Sequence, residues 1–126
     1  MSLESNTFNT LSSSTSLSAL VGSNIYPEKR LQGSSLPAVV YYRAPGGERV
    51  NGLSGFSGLE NAMVETEISA ASVETRRLVA DEVIDAMTHS TRFSCVMLDP
   101  PVDDYDDETN TYLRTCQFSV WATAAA

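Results

Sequence analysis

The chain has 126 residues and a mass of 13.6 kDa, which is the size of one domain, so we expect a single domain over residues 1–126. Sixteen acidic against eight basic residues give a net charge of −8, and this balance excludes tight binding of nucleic acid, because phosphates are gripped by Lys and Arg. No apolar run approaches the roughly 18 residues of a membrane span, and no basic-then-apolar leader opens the sequence, so we expect an intracellular, soluble protein with reduced cysteines.

The first predicted element is a helix that begins near the N-terminus. Residues 1–10 are rich in Ser, Thr and Asn, which are modest helix formers, so we expect this segment to be only partly ordered. Leu3, Leu11 and Leu17 belong to a helically spaced apolar set that ends at Gly22, a residue typical of helix C-termini. The serines of residues 12–16 predict a break within this helix.

A short extended piece and a strand follow, and then a glycine-rich segment. Ile25–Pro27 is the extended piece, and Ala38–Arg43 has the β-branched and aromatic residues of a strand. Residues 46–58 hold five of the seven glycines, a density that argues against regular structure. We therefore predict a long flexible loop over residues 44–58.

The second half predicts a long strand, a helix and two further strands. From Leu59 the sequence alternates, with Met63, Glu65 and Glu67 on the polar side. The apolar side holds Ala62, Val64, Thr66, Ile68 and Ala70. Ser72 can cap a helix over Val73–His89 with an apolar stripe, and Arg76 is placed on its polar side.

The last two strands are predicted at Phe93–Leu98 and Tyr112–Ala122. A hairpin centred between Tyr105 and Asp106 would place Cys95 opposite Cys116 on the apolar face. The predicted fold class is α+β: roughly four antiparallel strands with two helices packed on one face, and a long glycine-rich loop between strands.

The sequence motifs that would indicate phosphate binding or catalysis are incomplete. Gly47–Ser54 has the glycine spacing of a phosphate-binding loop but lacks its Lys, and Gly52–Gly58 only begins to resemble a nucleophile elbow around Ser54 and Ser57. A single histidine, His89, supports neither a zinc site nor a triad. We therefore predict no catalytic residues, no metal site and no cofactor. Cys95 and Cys116 are interpreted as buried small residues, with a disulfide if oxidised as the alternative.

Six carboxylates between Asp99 and Glu108, including Asp104, Asp106 and Asp107, form an acidic segment that does not match a calcium loop. Three interpretations stay open: a solvated hairpin tip, a charge-steering or docking surface, and adventitious cation binding. Arg43 and Arg49 flank the glycine segment and Arg114 lies in the last strand. These arginines either pair with carboxylates of a neighbouring subunit or are plain surface residues.

The order of several short motifs resembles a known family. The chain has Leu20-Val21-Gly22, then Ile25-Tyr26-Pro27, then Leu36-Pro37-Ala38-Val39-Val40-Tyr41, and finally Phe118-Ser119-Val120-Trp121. From about Leu11 to Ala122 it resembles the tail-completion proteins of long-tailed phages, the tail-terminator or tail-to-head joining family that also occurs in gene transfer agents.

The resemblance implies a structural virion protein of the neck and tail that assembles in the host cytoplasm. Such proteins form a ring, commonly a homohexamer, that ends polymerisation of the tail tube and joins the tail to the head-completion (stopper) protein. DNA would pass through the lumen without specific binding. The alternatives are another head–tail connector component (stopper or adaptor), a small cytoplasmic binding module, or a hydrolase using Ser54 or Ser57.

The residues themselves suggest which surfaces a ring subunit would use. The candidate interface and lumen residues are Arg43, Arg49, Gly52, Phe56, Met63, Glu65, Glu67, Asp104, Asp106 and Asp107. An acidic lumen would repel the DNA backbone and let it slide. The glycine loop would become ordered only against neighbouring subunits or tube protein.

Overall fold

Three helices and one sheet of seven strands make up the part of the chain that the computed structural model describes, residues 3–30, 35–45, 49–52 and 55–123, with backbone alone for 49–52, 55–59 and 123. The helices are α1 (Leu3–Ser12), α2 (Thr15–Val21) and α3 (Val73–Thr88). The strands are β1 (Ile25–Pro27), β2 (Ala38–Ala44), β3 (Arg49–Gly52), β4 (Gly55–Ala70), β5 (Ser94–Met97), β6 (Val102–Asp106) and β7 (Thr111–Thr123).

The helix boundaries follow capping chemistry. The Ser14 hydroxyl accepts a hydrogen bond from the Leu17 amide at 3.2 Å and starts α2 after a break, as predicted. Gly22, at φ 60°, ends α2 in a conformation that residues with a Cβ rarely adopt. Ser72 caps α3 by accepting from the Thr75 amide at 3.1 Å. The predicted N-terminal helix is present as α1, with Thr7 and Leu11 buried in the core; partial order of residues 1–10 stays a prediction.

The sheet packs one face against the helices, and we call this side the helix face. The strand order is β1-β2-β4-β7-β5, with β6 also beside β7 and β3 beside the start of β4. The alternation predicted for β4 is confirmed, since its apolar set is buried on the helix face. Side chains from both layers fill the core; those of Leu11, Leu17, Ile68, Val79, Val83 and Phe118 have no exposed surface. The opposite side, which we call the open face, carries no helix among the described residues.

The α+β class was predicted, but the predicted counts of strands and helices were too low. The sheet has seven strands where about four were expected, and three helices take the place of two. It is also mixed, because β1 pairs in parallel with β2. The N-terminal break divides one expected helix into two. Three-residue β1 was seen only as an extended piece, since so short a run carries little periodicity.

The glycine segment was predicted as a loop without regular structure, and this was wrong for its described residues. β3 and the first residues of β4 form an antiparallel hairpin, with Asn51 opposite Phe56 and Gly52 opposite Gly55. Glycine weakens a strand without excluding it where a tight turn needs backbone freedom. Residues 46–48 and 53–54 lie outside the described part, so the mobility of the segment stays a prediction.

The register of the last hairpin was also wrong. The turn lies at residues 107–110, Asp106 pairs with Thr111, and Cys95 lies opposite Val120 rather than Cys116. The acidic segment was interpreted as a tip, yet its first half is strand β6. The Pro100-Pro101 pair, which cannot donate to the ladder, separates β5 from β6 along the same side of β7. The register error is four residues, an even number, so both cysteines still face the helices as predicted.

Candidate assembly surfaces

The open face of the sheet is organised in rows of side chains that cross the strands. One row runs Tyr26, Val40, Glu67, Thr115, Val102, from one border of the sheet to the other. The next row along β4 is Tyr42, Glu65 and Gln117. A sheet face that mixes apolar, aromatic and acidic groups, without a covering element among the described residues, is suited to contact another protein.

Met63, Glu65 and Glu67 lie on this open face, as predicted, and all three are half-buried. The Glu65 carboxylate accepts a hydrogen bond from Gln117 Nε2 at 2.8 Å and another from the Tyr42 hydroxyl. Burial and the hydrogen bond to Glu65 both raise the pKa of Tyr42. The phenol therefore remains a neutral donor, and Glu65 is held in place as an acceptor.

One end of the open face is a trough of about 410 Å³. Its floor includes Val40, Glu67 and Leu113, and its two rims are the segment Glu28–Arg30 and the turn after β6. Asp106 and Thr109 belong to the second rim, so one of the predicted acidic residues shares a concavity with Glu67. The trough opens to solvent; one rim carries Lys29 and Arg30 beside Glu28, and the other carries Asp106.

Both borders of the sheet are interrupted by proline. β1, at one border, is three residues long and ends at Pro27. β5 and β6, at the other border, are separated by Pro100 and Pro101. Short edge strands and proline block the addition of a further strand from another chain. These positions therefore offer another protein side chains rather than unpaired backbone groups.

The β5–β6 border combines exposed apolar and acidic side chains. Val96 and Val102 are 59% and 66% exposed, and Leu98 is 41% exposed. Pairing with β7 places Val96 and Val102 on the open-face side of the border. Asp104, two residues after Val102 on β6, and Asp107, in the turn after β6, are both exposed, and no ion pair engages either carboxylate within the described part of the chain.

A buried arginine that sequence reasoning placed on the polar side of α3 instead joins the helix to the β6–β7 hairpin. Arg76 is 9% exposed; its Nη2 lies 3.2 Å from Asp103 Oδ2, and its guanidinium lies 5.6 Å from the centroid of the Tyr112 ring. Arg114 donates to the same Asp103 at 2.6 Å. The hydrogen bond from Arg114, together with the charges of Arg114 and Arg76, lowers the pKa of Asp103.

Two candidate arginines form ion pairs within the chain, and their contact with a neighbouring subunit stays a prediction. Arg114 pairs with Asp103. Arg43 does the same with Glu60, at 2.6 Å between Nη2 and Oε1, on the side of the sheet opposite Met63. The spacing could have indicated that Arg76 is buried, because the residue lies three positions before Val79 on the apolar stripe of α3. Its charge argued for the polar side instead.

Arg49, Gly52 and Phe56 lie on the hairpin formed by residues 49–52 and 55–58, which we call the hairpin arm. Pairing of β4 with β7 begins only at Leu59 and pairing with β2 only at Met63. The arm therefore extends about 13 Å beyond the neighbouring strands, at about 3.3 Å per residue. The structure does not bring these three residues together with the carboxylates of the trough, which lies at the other end of β4.

The two thiols are buried and free. Cys95 is opposite Val120, four residues from Cys116 on the same strand, so the two sulfurs cannot form a bond at this register. Burial raises the pKa of Cys95 to about 12 and of Cys116 to about 11. Both side chains therefore act as small packing residues at neutral pH.

Within the part of the chain that the structure describes, no group of three His, Cys, Asp or Glu side chains is placed to hold a metal ion. No described helix combines the length and the apolar character that crossing a membrane requires.

Comparison with solved structures finds a protein that shares this fold. One chain of the structure "Virion of native gene transfer agent (GTA) particle" matches with a TM-score of 0.69 and 17% identity. The match covers 98% of this chain and 96% of the other, so the two share one complete fold. No protein-family model and no curated protein sequence matches the chain.

Proposed function

We propose that this protein is a non-enzymatic subunit of a ring at the head-proximal end of a phage-like tail, where it ends tube polymerisation and joins the tail to the head-completion protein. The observation that carries the proposal is the match over nearly the full length of both chains to a component of a gene transfer agent virion. The order of motifs from Leu11 to Trp121 supports the tail-terminator role within such particles.

The surfaces are of the kind that a ring subunit needs. A ring subunit requires two lateral contacts with its own copies and two axial contacts with other proteins. The two borders of the sheet supply candidates for the lateral contacts. The hairpin arm, which extends past the other strands, supplies a candidate for an axial contact with tube protein.

The open face supplies a candidate for the lumen wall. Glu65 and Glu67 lie on it beside Asp104 and Asp106 of the β6–β7 hairpin. Described cations near this surface are confined to the rim at Lys29 and Arg30. A mainly acidic wall disfavours attachment of the phosphate backbone, and DNA would pass without being held.

The test is complementation of particles that lack this protein. An extract with the gene deleted should contain filled heads and separate tails whose lengths are uncontrolled. Tails that assemble in the presence of the purified protein should instead be uniform in length and joined to heads, as seen by electron microscopy.

The order of addition distinguishes the alternatives. If the protein must first be incubated with tails, a tail terminator is supported. If it must first be incubated with filled heads, a stopper or adaptor is indicated. If neither incubation gives joined particles while the protein is folded by circular dichroism, the proposed function is wrong.

A further inference from the structure

We propose that the end of the open face beside the hairpin arm binds an uncharged, apolar segment of the tube protein, so that this surface and the arm form one axial contact. The inference rests on the proposed function, because it requires that the protein meets a tail tube. It adds which surface makes the contact and the chemistry of the partner that fits it.

The surface consists of two rows of side chains that cross the strands next to the base of the arm. The seven residues of these rows have no charged side chain, and we call them the neutral patch. They are Ser94, Trp121 and Asn61 in the row nearer the arm, and Val96, Ser119, Met63 and Ala44 in the next row.

Charge on the open face begins only beyond the neutral patch. Glu65 lies in the following row and Glu67 in the row after it, and Asp104 and Asp106 lie farther along on β6. The face is therefore divided into a neutral end beside the arm and an acidic end around the trough. Only the acidic end has the charge that the proposed lumen wall requires, so the neutral end is free for a different role.

The side chains of the neutral patch are those of the centre of a protein–protein interface. Trp121 and Met63 are half-buried, and Val96 is 59% exposed. Interface centres are enriched in Trp and Met and depleted in charged residues, and Trp is a frequent binding anchor. Trp121 is on β7 and Met63 is on β4, the two inner strands of the sheet. A partner that reaches both must lie over the face, whereas a copy placed beside the sheet would contact its borders.

The polar groups of the neutral patch are already paired within the chain. Asn61 is 9% exposed, and its Nδ2 donates to Ser119 Oγ at 2.7 Å and to the carbonyl of Val120 at 3.1 Å. Covering such groups leaves no unpaired amide donor behind, and the cost of removing water from the patch is therefore low. An apolar partner surface needs no polar group to match them.

The hairpin arm points to the tube protein as the partner. A stable interface takes about 20–30 residues from each side, and the arm, residues 49–52 and 55–58, offers fewer than half of these. The same strand, β4, forms one half of the arm and carries Asn61 and Met63. A protein that binds the arm and continues along β4 therefore meets the neutral patch first.

The first test uses Trp121, which is the only tryptophan of the chain. Replacing it with 5-hydroxytryptophan gives a fluorophore that is excited at wavelengths where the tryptophans of other virion proteins do not absorb. Acrylamide quenching of the labelled protein should fall by at least about half when tails purified from the deletion extract are added, since interface anchors are shielded from solvent. Addition of purified filled heads should leave the quenching unchanged.

The second test places a charge in the neutral patch. Val96→Asp and Ser119→Asp should each lower joining in the deletion extract at least about tenfold, because an unpaired carboxylate would be buried against an apolar surface. Val102→Asp is the matched control for Val96, because Val102 is 66% exposed on the same face and border but lies in the acidic end. Ser119→Asn is the control for Ser119, since it keeps an acceptor for Asn61 without a charge. Both controls should join within about twofold of the wild type.

Several results would overturn the inference. Unchanged quenching with tails, or normal joining by charged variants that circular dichroism shows to be folded, would remove the neutral patch from the contact. Equal losses for Val96→Asp and Val102→Asp would assign the effect to the border of the sheet.

Shielding of Trp121 by filled heads, or in the purified protein alone, would identify the occupant as a head protein or a second copy and would also overturn the inference. The quenching measurement uses a chain without charge changes, so it decides even where a variant is unfolded. Failure of the proposed function differs from all of these, because the wild type itself would then join nothing.

Discussion

Arg76 occupies a position on α3 where its neighbours Arg77 and Leu78 are exposed, and yet its side chain is 11% exposed. Its Nη1 donates to the carbonyls of Asp104 and Leu113, each at 3.4 Å, so one side chain binds both strands of the β6–β7 hairpin. Its Nε is buried without a hydrogen-bond partner. The residue thus combines a favourable charge contact with a desolvation cost.

Truncation of this side chain should weaken the fold. We expect Arg76→Ala to lower the free energy of unfolding by about 2 kcal/mol, because it removes charged hydrogen bonds and the contact with the Tyr112 ring. Arg76→Met should lose about half as much, since it keeps the packing of the stem. Urea denaturation measures both. Arg77→Ala is the matched control and should leave the midpoint unchanged, and equal losses at the two positions would contradict the assigned role.

Asp103 makes the stability of the fold depend on pH. Its pKa is lowered in the folded state by the hydrogen bond from Arg114 and the charges of both arginines. Stability from the ionised carboxylate is therefore present above the unfolded pKa, about 3.9, and is lost as the pH falls through the folded value. We expect Asp103→Asn to be less stable than the wild type by at most about 1 kcal/mol at pH 7, since the group is largely exposed.

The difference in stability between wild type and Asp103→Asn should shrink as the pH falls below about 4. Urea midpoints at pH 7, 5 and 3 measure it, with Asp107→Asn as the control for an exposed carboxylate that pairs with no cation in the described structure. A constant difference between wild type and Asp103→Asn across this range would show that the carboxylate acts through its shape rather than its charge.

At the scale of elements, the sequence was most informative where apolar periodicity was long. The alternation after Leu59 gave the end of β4 at Ala70 but missed its first four residues, which were predicted as loop. The apolar stripe placed α3 nearly to the residue, and Ser72 and Gly22 marked helix ends by their capping chemistry. β3 and β6 were missed for opposite reasons. Glycine conceals β3, while β6 carries three aspartates that strand propensity disfavours.

The features of the structure that depend on tertiary contacts could not be deduced from the local sequence. β6 is stabilised as a strand by Arg114 on β7 and Arg76 on α3, which are distant in sequence. The open face was predicted correctly for Met63, Glu65 and Glu67, because strand alternation alone assigns sides. Lys29 and Arg30 were missed as candidates, because only the folded structure shows that they line the trough together with Glu67 and Asp106.

The hairpin arm should contribute to joining and little to folding. Replacing residues 46–58 by a tight turn removes strands that pair only with each other at their far end, so the free energy of unfolding should change by less than about 0.5 kcal/mol. Joining in the deletion extract should be abolished because the axial contact is lost. Normal joining by the trimmed protein would remove the arm from the proposed mechanism.

At the scale of the whole molecule, the proposed lumen wall predicts an effect of the open-face carboxylates on DNA passage. Glu65→Lys with Glu67→Lys should slow DNA exit from assembled particles, since a basic lumen attracts phosphates and the attraction weakens with salt. Single-particle fluorescence of DNA release measures the rate at low and high salt. Glu82→Lys on α3, beyond the other side of the sheet, is the control. Unchanged release by the double variant would place the open face outside the lumen.

The prolines at both borders of the sheet have a consequence for aggregation of the free protein. Pro27 at one border, and Pro100 and Pro101 at the other, lack the backbone N–H that an added strand would need as a donor. Concentrated solutions of the purified protein should therefore resist growth into fibrils by strand addition at these positions.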